Sequence, residues 1–259
     1  MFFAITLALI VLSIICHEAG HWFEMSKYGV PVSEAGLGFP FFKKLQIRFK
    51  LKKWPNTVLT LNPLLLGAYV SPRDGYKAFD NLPYKHAATI CGAGPLANVI
   101  FFFVVSILAG LVAPNVTYTN PHNLILWGCF LAMALITFLA RKYLSYILPL
   151  LGIASTAYLF HLMAKQNIAP LDGLAGPVGI IKIAKKASLT LHDSLSFAAL
   201  ISLYIGQANT IPIFPLDGGR AVDVLLKRWP LARNLFRSLG VMLIILIFVF
   251  VTTKDFLRK

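Results

Sequence analysis

Six mostly apolar stretches recur along the chain, at roughly 2–25, 87–113, 123–140, 143–163, 195–216 and 238–253, each bounded by charges, prolines or glycines. A bilayer core about 30 Å thick takes about 20 helical residues, and each stretch approaches or exceeds that length. The pattern predicts an α-helical polytopic membrane protein with about six spans. Arg141–Lys142 is the break between the third and fourth, because one helix over 123–163 would be twice the needed length and carry two cations at its centre. The segment 26–86 is different. Its basic and apolar residues alternate over 43–51, and the runs Thr57–Leu61 and Leu66–Val70 have the same period of two, so a small sheet or set of hairpins is expected at the membrane face. The whole chain, 1–259, reads as one integral-membrane domain: a first span (1–25), the β-region (26–86), a second span (87–113), a helix pair (123–163) and a final part (172–253).

Composition excludes a single soluble domain: 58% of the 259 residues are hydrophobic, 13% are charged, and the mean hydropathy is +0.73. The net charge of +14 carries topological information. With the N-terminus outside and the spans alternating, 17 of the 24 Lys and Arg fall in loops on one side, and the loop 114–122 has no charge. The positive-inside rule therefore puts the N-terminus outside and 26–86 in the cytosol, as in a bacterial inner or plasma membrane. The cations flank spans and form no recognition motif, so they suit anionic lipid and not nucleic acid. A cleaved signal peptide over 1–16 is not expected, since no Lys or Arg precedes the apolar run and no small-residue cleavage pattern follows it. Cys16, Cys91 and Cys129 lack paired spacing and are expected as free thiols.

Ionisable groups inside spans are costly and mark function. They are His17, Glu18, His21, Glu24 and Asp217, with His161 at a span end. His17-Glu18-Ala19-Gly20-His21 is an H-E-x-x-H motif in a helix: two imidazoles at i and i+4 share one face, where they can hold one Zn²⁺, and the intervening glutamate can take a proton from water beside the ion. A structural reading must tolerate three polar side chains in five residues of an apolar helix. Such a site needs a third ligand. Glu24, three residues past His21, is expected to point past the metal or to pack as a polar residue at the helix end.

Asp217 is the candidate third ligand. At about 1.5 Å per residue His17 lies about 24 Å along the first span and Asp217 about 32 Å along the fifth, both descending from the same side. That agreement requires 123–163 to leave the parity unchanged. Pro212 and Pro215 interrupt the helix before Asp217, and broken helix survives in a membrane only against protein or a water-filled cavity. The bland alternative is a helix-terminal aspartate at the water boundary. Asn209 is either a donor to a substrate carbonyl or a helix–helix hydrogen-bonding group.

With H-E-A-G-H in the first span and Asn209-Thr210-Ile211-Pro212-Ile213-Phe214-Pro215-Leu216-Asp217-Gly218-Gly219 in a later one, the chain resembles the site-2 protease family of intramembrane zinc metalloproteases, and within it the bacterial RseP group. Leu66-Gly67-Ala68-Tyr69-Val70 is similar to the family's L-G-G-Y-V hairpin segment, Ala93–Asn98 to its A-G-P-x-A-N helix start, and Gly176–Ile180 to its G-P-V-G-I. The resemblance implies one zinc bound by His17, His21 and Asp217, Glu18 as general base, and Asn209, Gly67 and Tyr69 near the substrate. It implies regulated intramembrane proteolysis of a single-span membrane protein, such as an anti-sigma factor or a signal-peptide-like remnant, near the cytosolic leaflet.

Residues 114–171 leave no room for the PDZ domains that the RseP group carries, so the size filter or gate those domains supply is either absent or provided by a regulatory partner. The extra pair 123–163 is either a lipid-facing packing element or a lateral gate. The competing function is a proteolytically inactive zinc-binding membrane scaffold or an ion transporter, which would share the metal but leave a single-span test substrate uncut.

Overall fold

The computed structural model describes residues 1–39, 45–52, 54–113, 121–165 and 176–257. Lys43–Lys44, most of the charge-free loop and residues 172–175 fall outside this set. Eight α-helices are described: α1 (Phe2–Lys27), α2 (Tyr84–Leu111), α3 (Pro121–Tyr146), α4 (Leu148–Lys165), α5 (Pro177–Ala187), α6 (Leu191–Thr210), α7 (Asp217–Leu225) and α8 (Pro230–Leu257). Between α1 and α2 lie β1 (Val32–Phe39), β2 (Ile47–Phe49), β3 (Val58–Leu61) and β4 (Leu64–Pro72).

Three of the described helices, α1, α2 and α8, are long and apolar enough to cross a bilayer, and the bent pair α3–α4 would make four if it acts as one span. Six spans were expected from the apolar pattern. Two physical reasons account for the difference. In α6 the apolar run is diluted by polar residues that face protein and not lipid: Ser194 Oγ donates to the Phe2 carbonyl at 3.1 Å, and Ser202 is fully buried against α2. In α3 the helix runs straight through Arg141–Lys142 and breaks at Ile147, where α4 departs at 101°. Arg141 stays within the helix because its guanidinium is met there, by Glu24 of α1 and by the Phe138 carbonyl. α8 shows the opposite environment to α6: only 11% of its apolar stretch is covered by the rest of the chain, as suits a helix bathed in lipid.

The helix ends sort into two layers. At one end the α1 start meets α6 and the segment before it (Thr6–Ser188 hydroxyl bond, 2.6 Å), His192 bonds the Ala109 carbonyl at the end of α2, and Asp255 of α8 accepts from the Gly179 amide of α5. At the other end lie the close of α1, the start of α2, the sheet and α7. α6 thus descends alongside α1. α2 is the central helix, and its Ala87, Ala88, Gly92, Ala93 and Gly94 are all buried. The motif Ala93–Asn98 lies in mid-helix and not at a helix start, with Pro95 inside the helix. At the α1–α2 contact a Cβ on Gly20 would stand 2.6 Å from the Ala93 carbonyl oxygen, so only glycine allows the backbones to approach this closely.

The β-region forms one mixed sheet of order β2-β3-β1-β4. The runs Thr57–Leu61 and Leu66–Val70, read as part of a small sheet or set of hairpins, fall in β3 and β4, and β1 lies between them, parallel to β3 and antiparallel to β4. Asn62 secures the crossover by donating Nδ2 to the Leu37 and Gly38 carbonyls at 3.1 and 2.9 Å. Among the described residues of the basic alternation over 43–51, the three-residue β2 is the strand formed. Met25, Val30, Val32, Val70, Phe79, Ala87, Ile90 and Val224 form the core that joins the sheet to α1, α2 and α7, which fixes β4 beside the lower part of α1.

Candidate metal centre

His17 and His21 stand one turn apart on α1 and point the same way, as the i, i+4 spacing requires. α6 ends at Thr210, the chain turns through Pro212 and the cis Phe214–Pro215 bond, and α7 restarts at Asp217. Asp217 is therefore the first residue of a new helix, delivered sideways to α1. The three donors converge: Asp217 Oδ2 is 3.1 Å from His17 Nε2 and 3.2 Å from His21 Nε2, and the two Nε2 atoms are 3.2 Å apart. All three residues are at most 5% exposed.

A near-equilateral triangle of this size is what a tetrahedral ion with bonds of about 2.0–2.1 Å demands of three of its ligands. The surroundings fit as well. A Cβ on Gly94 of α2 would press on Nε2 of both histidines, at 2.6 Å from His17 and closer still to His21, so glycine keeps open the space that the donors face. Each imidazole has its other nitrogen engaged: His21 Nδ1 with the Ile90 carbonyl at 2.7 Å, and His17 Nδ1 with Asn98 Oδ1 at 2.5 Å. Both Nε2 atoms are thus directed at the ion position. Among the described residues this is the one group of three or more such side chains placed to hold a metal.

His17 and Asp217 lie in the wall of a cavity of about 950 Å³. Glu18, half-buried, lies on the same wall beside His17. Asn209 lines the cavity from α6, and its Nδ2 donates to the Ile205 carbonyl of its own helix at 3.0 Å. The opposite wall is β4, including Gly67, at φ +99°, and Tyr69. Tyr69 donates its hydroxyl to Glu34 Oε1 at 2.6 Å. Burial, and then that bond to a carboxylate, push its phenol above the ordinary value of 10.

Glu24 stands away from the ion position. It is buried and paired with Arg141 at 3.1 Å and Lys27 at 3.6 Å. His161 is exposed on α4. The cysteines are free, with Cys91 buried, Cys16 half-buried and Cys129 exposed. Sequence reasoning missed Asn98, which is fully buried, and Arg220, whose Nη1 is 3.6 Å from Asp217 Oδ1. An asparagine within the apolar stretch of a helix was the available signal for Asn98. Arg220 carried none, since it falls among the other cations of its loop.

A helical bundle with a buried two-histidine, one-aspartate donor set, a glutamate next to the first histidine and a cavity floored by a strand defines a membrane metallopeptidase architecture. The family description "Peptidase family M50" matches residues 5–251, and the chain belongs to that family. It is 35% identical over 92 residues to the zinc metalloprotease RasP of Shouchella clausii, a stretch that is 33% of this chain and 22% of that protein. It is 36% identical over 95 residues to the regulator of sigma E protease of Haemophilus influenzae (34% and 21%), and 33% identical over 90 residues to the chloroplastic membrane metalloprotease ARASP of Arabidopsis thaliana (32% and 20%). The chain thus spans about a fifth of the length of the curated relatives it matches.

Proposed function

We propose that the protein is an intramembrane zinc metalloprotease that hydrolyses a peptide bond of a single-span membrane protein near the cytosolic leaflet. The observation that carries this is the buried triangle of His17, His21 and Asp217 at the wall of a cavity that also holds Glu18. A bound zinc would supply a Lewis acid that polarises the scissile carbonyl and makes an adjacent water acidic near neutral pH.

The chain's own residues do the rest. Glu18 accepts the proton of the attacking water and returns it to the leaving amine. Asn209, on the wall beside the donors, orients the substrate backbone. β4 is an edge strand of the sheet, and a locally unwound substrate can add to it as a further strand. Unwinding is required, since a helix keeps its carbonyls in its own hydrogen bonds. Gly67 and Tyr69 would meet that substrate. The distribution of cations supports an N-terminus outside and a site on the cytosolic side. The relative named for regulation of sigma E suggests an anti-sigma factor as the substrate class, with a partner protein in a regulatory role.

The test is cleavage of a single-span substrate by the purified protein in detergent. Cleavage is expected to stop with a chelator, return with zinc, and be absent in Glu18→Gln, which keeps its zinc. A fully metallated Glu18→Gln protein that still cleaves overturns the role of Glu18; a zinc-loaded wild type that cuts no single-span substrate overturns the protease reading.

A further inference from the structure

The imidazole of His17 is held by a side chain, whereas that of His21 is held by a backbone carbonyl. We propose that Asn98 is a positioning residue that sets the tautomer of His17 and so reserves its Nε2 for the ion; this rests on the reading of the site as a zinc centre.

The network around Asn98 leaves its amide one orientation. Asn98 Nδ2 lies 2.9 Å from Ser202 Oγ and 3.5 Å from the Ser13 carbonyl. The Ser13 carbonyl can only accept. Ser202 spends its single hydroxyl proton on the Asn98 main-chain carbonyl, at 3.2 Å, so toward the Asn98 side chain it too can only accept. Both neighbours therefore require the NH₂ end of the amide, which turns Oδ1 toward His17. Oδ1 is an acceptor without a proton, so Nδ1 of His17 must carry the hydrogen, and the neutral ring is left with its lone pair on Nε2.

Burial makes this arrangement decisive. Asn98 and Ser202 are fully buried, so no water can substitute for a missing partner, and an unmet polar group there carries a large desolvation penalty. The partner is also uncharged. Metal-bound histidines commonly lean on a carboxylate or a carbonyl; here both lean on neutral oxygens, Asn98 Oδ1 and the Ile90 carbonyl. Three helices meet at this one amide: α1 through His17 and Ser13, α2 through Asn98 itself and α6 through Ser202.

Two substitutions at Asn98 separate the role from simple packing. Asn98→Leu keeps the volume and removes the acceptor; Asn98→Asp keeps the acceptor. Zinc affinity is measured on the full-length protein by competition with a chelator, and the tautomer by ¹⁵N shifts of labelled histidines in the zinc-free protein, with His21 as internal reference. Asn98→Leu is expected to bind zinc about 10- to 100-fold more weakly and to show His17 populating the Nε2–H form, while His21 is unchanged. Asn98→Asp is expected to retain the Nδ1–H signature and bind zinc within a few-fold of wild type. Ser202→Ala, which leaves the amide free to turn, is expected to show mixed His17 tautomers and several-fold weaker zinc. Wild-type affinity and tautomer in Asn98→Leu, or in Ser202→Ala should the leucine variant fail to fold, would overturn the proposal. A wild-type protein with His17 in the Nδ1–H form that binds no zinc would instead sink the zinc reading and leave the tautomer assignment standing.

Discussion

Glu24 of α1 and Arg141 of α3 form an ion pair, with Arg141 Nε donating to Glu24 Oε1 at 3.1 Å, one helical turn beyond His21 of the candidate metal centre. The pair explains why α3 continues through two cations instead of ending there, and it ties the helix pair α3–α4 to the helix that carries the metal donors. Among the described residues, none of α3 or α4 lines the 950 Å³ cavity. The pair packs instead against α2, where Ser145 sits over Gly92, and against the foot of α6, where Gly152 faces the Thr210 carbonyl.

Removal of one member of this pair is therefore expected to cost stability. Glu24 is 1% exposed, and a buried charge stripped of its partner costs up to about 3–5 kcal/mol; Arg141 is a quarter exposed, which moderates its half of the loss. Arg141→Leu and Glu24→Leu should each lower the unfolding temperature in micelles, and the double variant should recover part of the loss. A strictly additive double variant would show that the two residues do not act as a pair.

The three side chains that converge at the candidate metal centre were legible in the sequence because their signal is local: two histidines at helical spacing, and an aspartate directly after a proline-broken helix. The supports were not, because they depend on tertiary partners. Asn98 and Glu24 lie in α2 and α1, and what they do is decided by Ser202 on α6 and Arg141 on α3, 104 and 117 residues away. β1 escaped notice because Gly36 and Gly38, residues disfavoured in strands, stand within it, yet it is the strand that separates β3 from β4. The count of spans is a related case: among the described residues three helices, or four with the bent pair α3–α4 as one span, pass on length and hydropathy, and polar residues that bond to α1 and α2 dilute the apolar run of α6.

Gly94 offers a test of the space at the metal centre that leaves every ligand in place. An added methyl would meet Nε2 of both histidines, so Gly94→Ala is expected to weaken zinc binding by at least about 10-fold. Gly128→Ala, on the same kind of helical backbone with nothing within 4 Å of the added Cβ, should leave affinity unchanged. Equal affinity in the two variants, read by chelator competition, would contradict the assigned ion position.

A second polar cluster holds α7, the helix that starts at Asp217. Asp223 receives Arg233 through Nε and Nη2, at 3.0 and 2.7 Å, and Arg237 through a second fork, at 2.5 and 2.7 Å; Arg233 also reaches Asp80. Burial alone would raise the Asp223 carboxyl, but the two guanidiniums outweigh it and hold it below the ordinary value of 3.8. A depressed carboxylate stabilises the fold fully above that ordinary value and loses the contribution as pH falls through its folded one. Asp223→Asn should thus destabilise by about 3–5 kcal/mol at neutral pH, and its deficit relative to wild type should shrink below pH 3.8. A deficit that stays constant on acidification would show that the charge of Asp223 contributes nothing.

Zinc binding should itself appear as stability. Asp217 belongs to a helix that follows a long irregular turn, and an ion bound between α1 and α7 ties together two segments 196 residues apart. A ligand that binds only the folded state adds about 2.7 kcal/mol when present at 100 times its Kd. The unfolding temperature of the wild type is accordingly expected to rise with added zinc and to fall on chelation, reversibly. In Asp217→Asn the shift should be strongly reduced, since the amide is a poor ligand and the donor set loses its single charge. Glu18→Gln should show the full wild-type shift, because Glu18 is placed beside the donors and not among them. A zinc-induced shift of equal size in all three proteins would mean that the stabilising ion binds elsewhere on the chain.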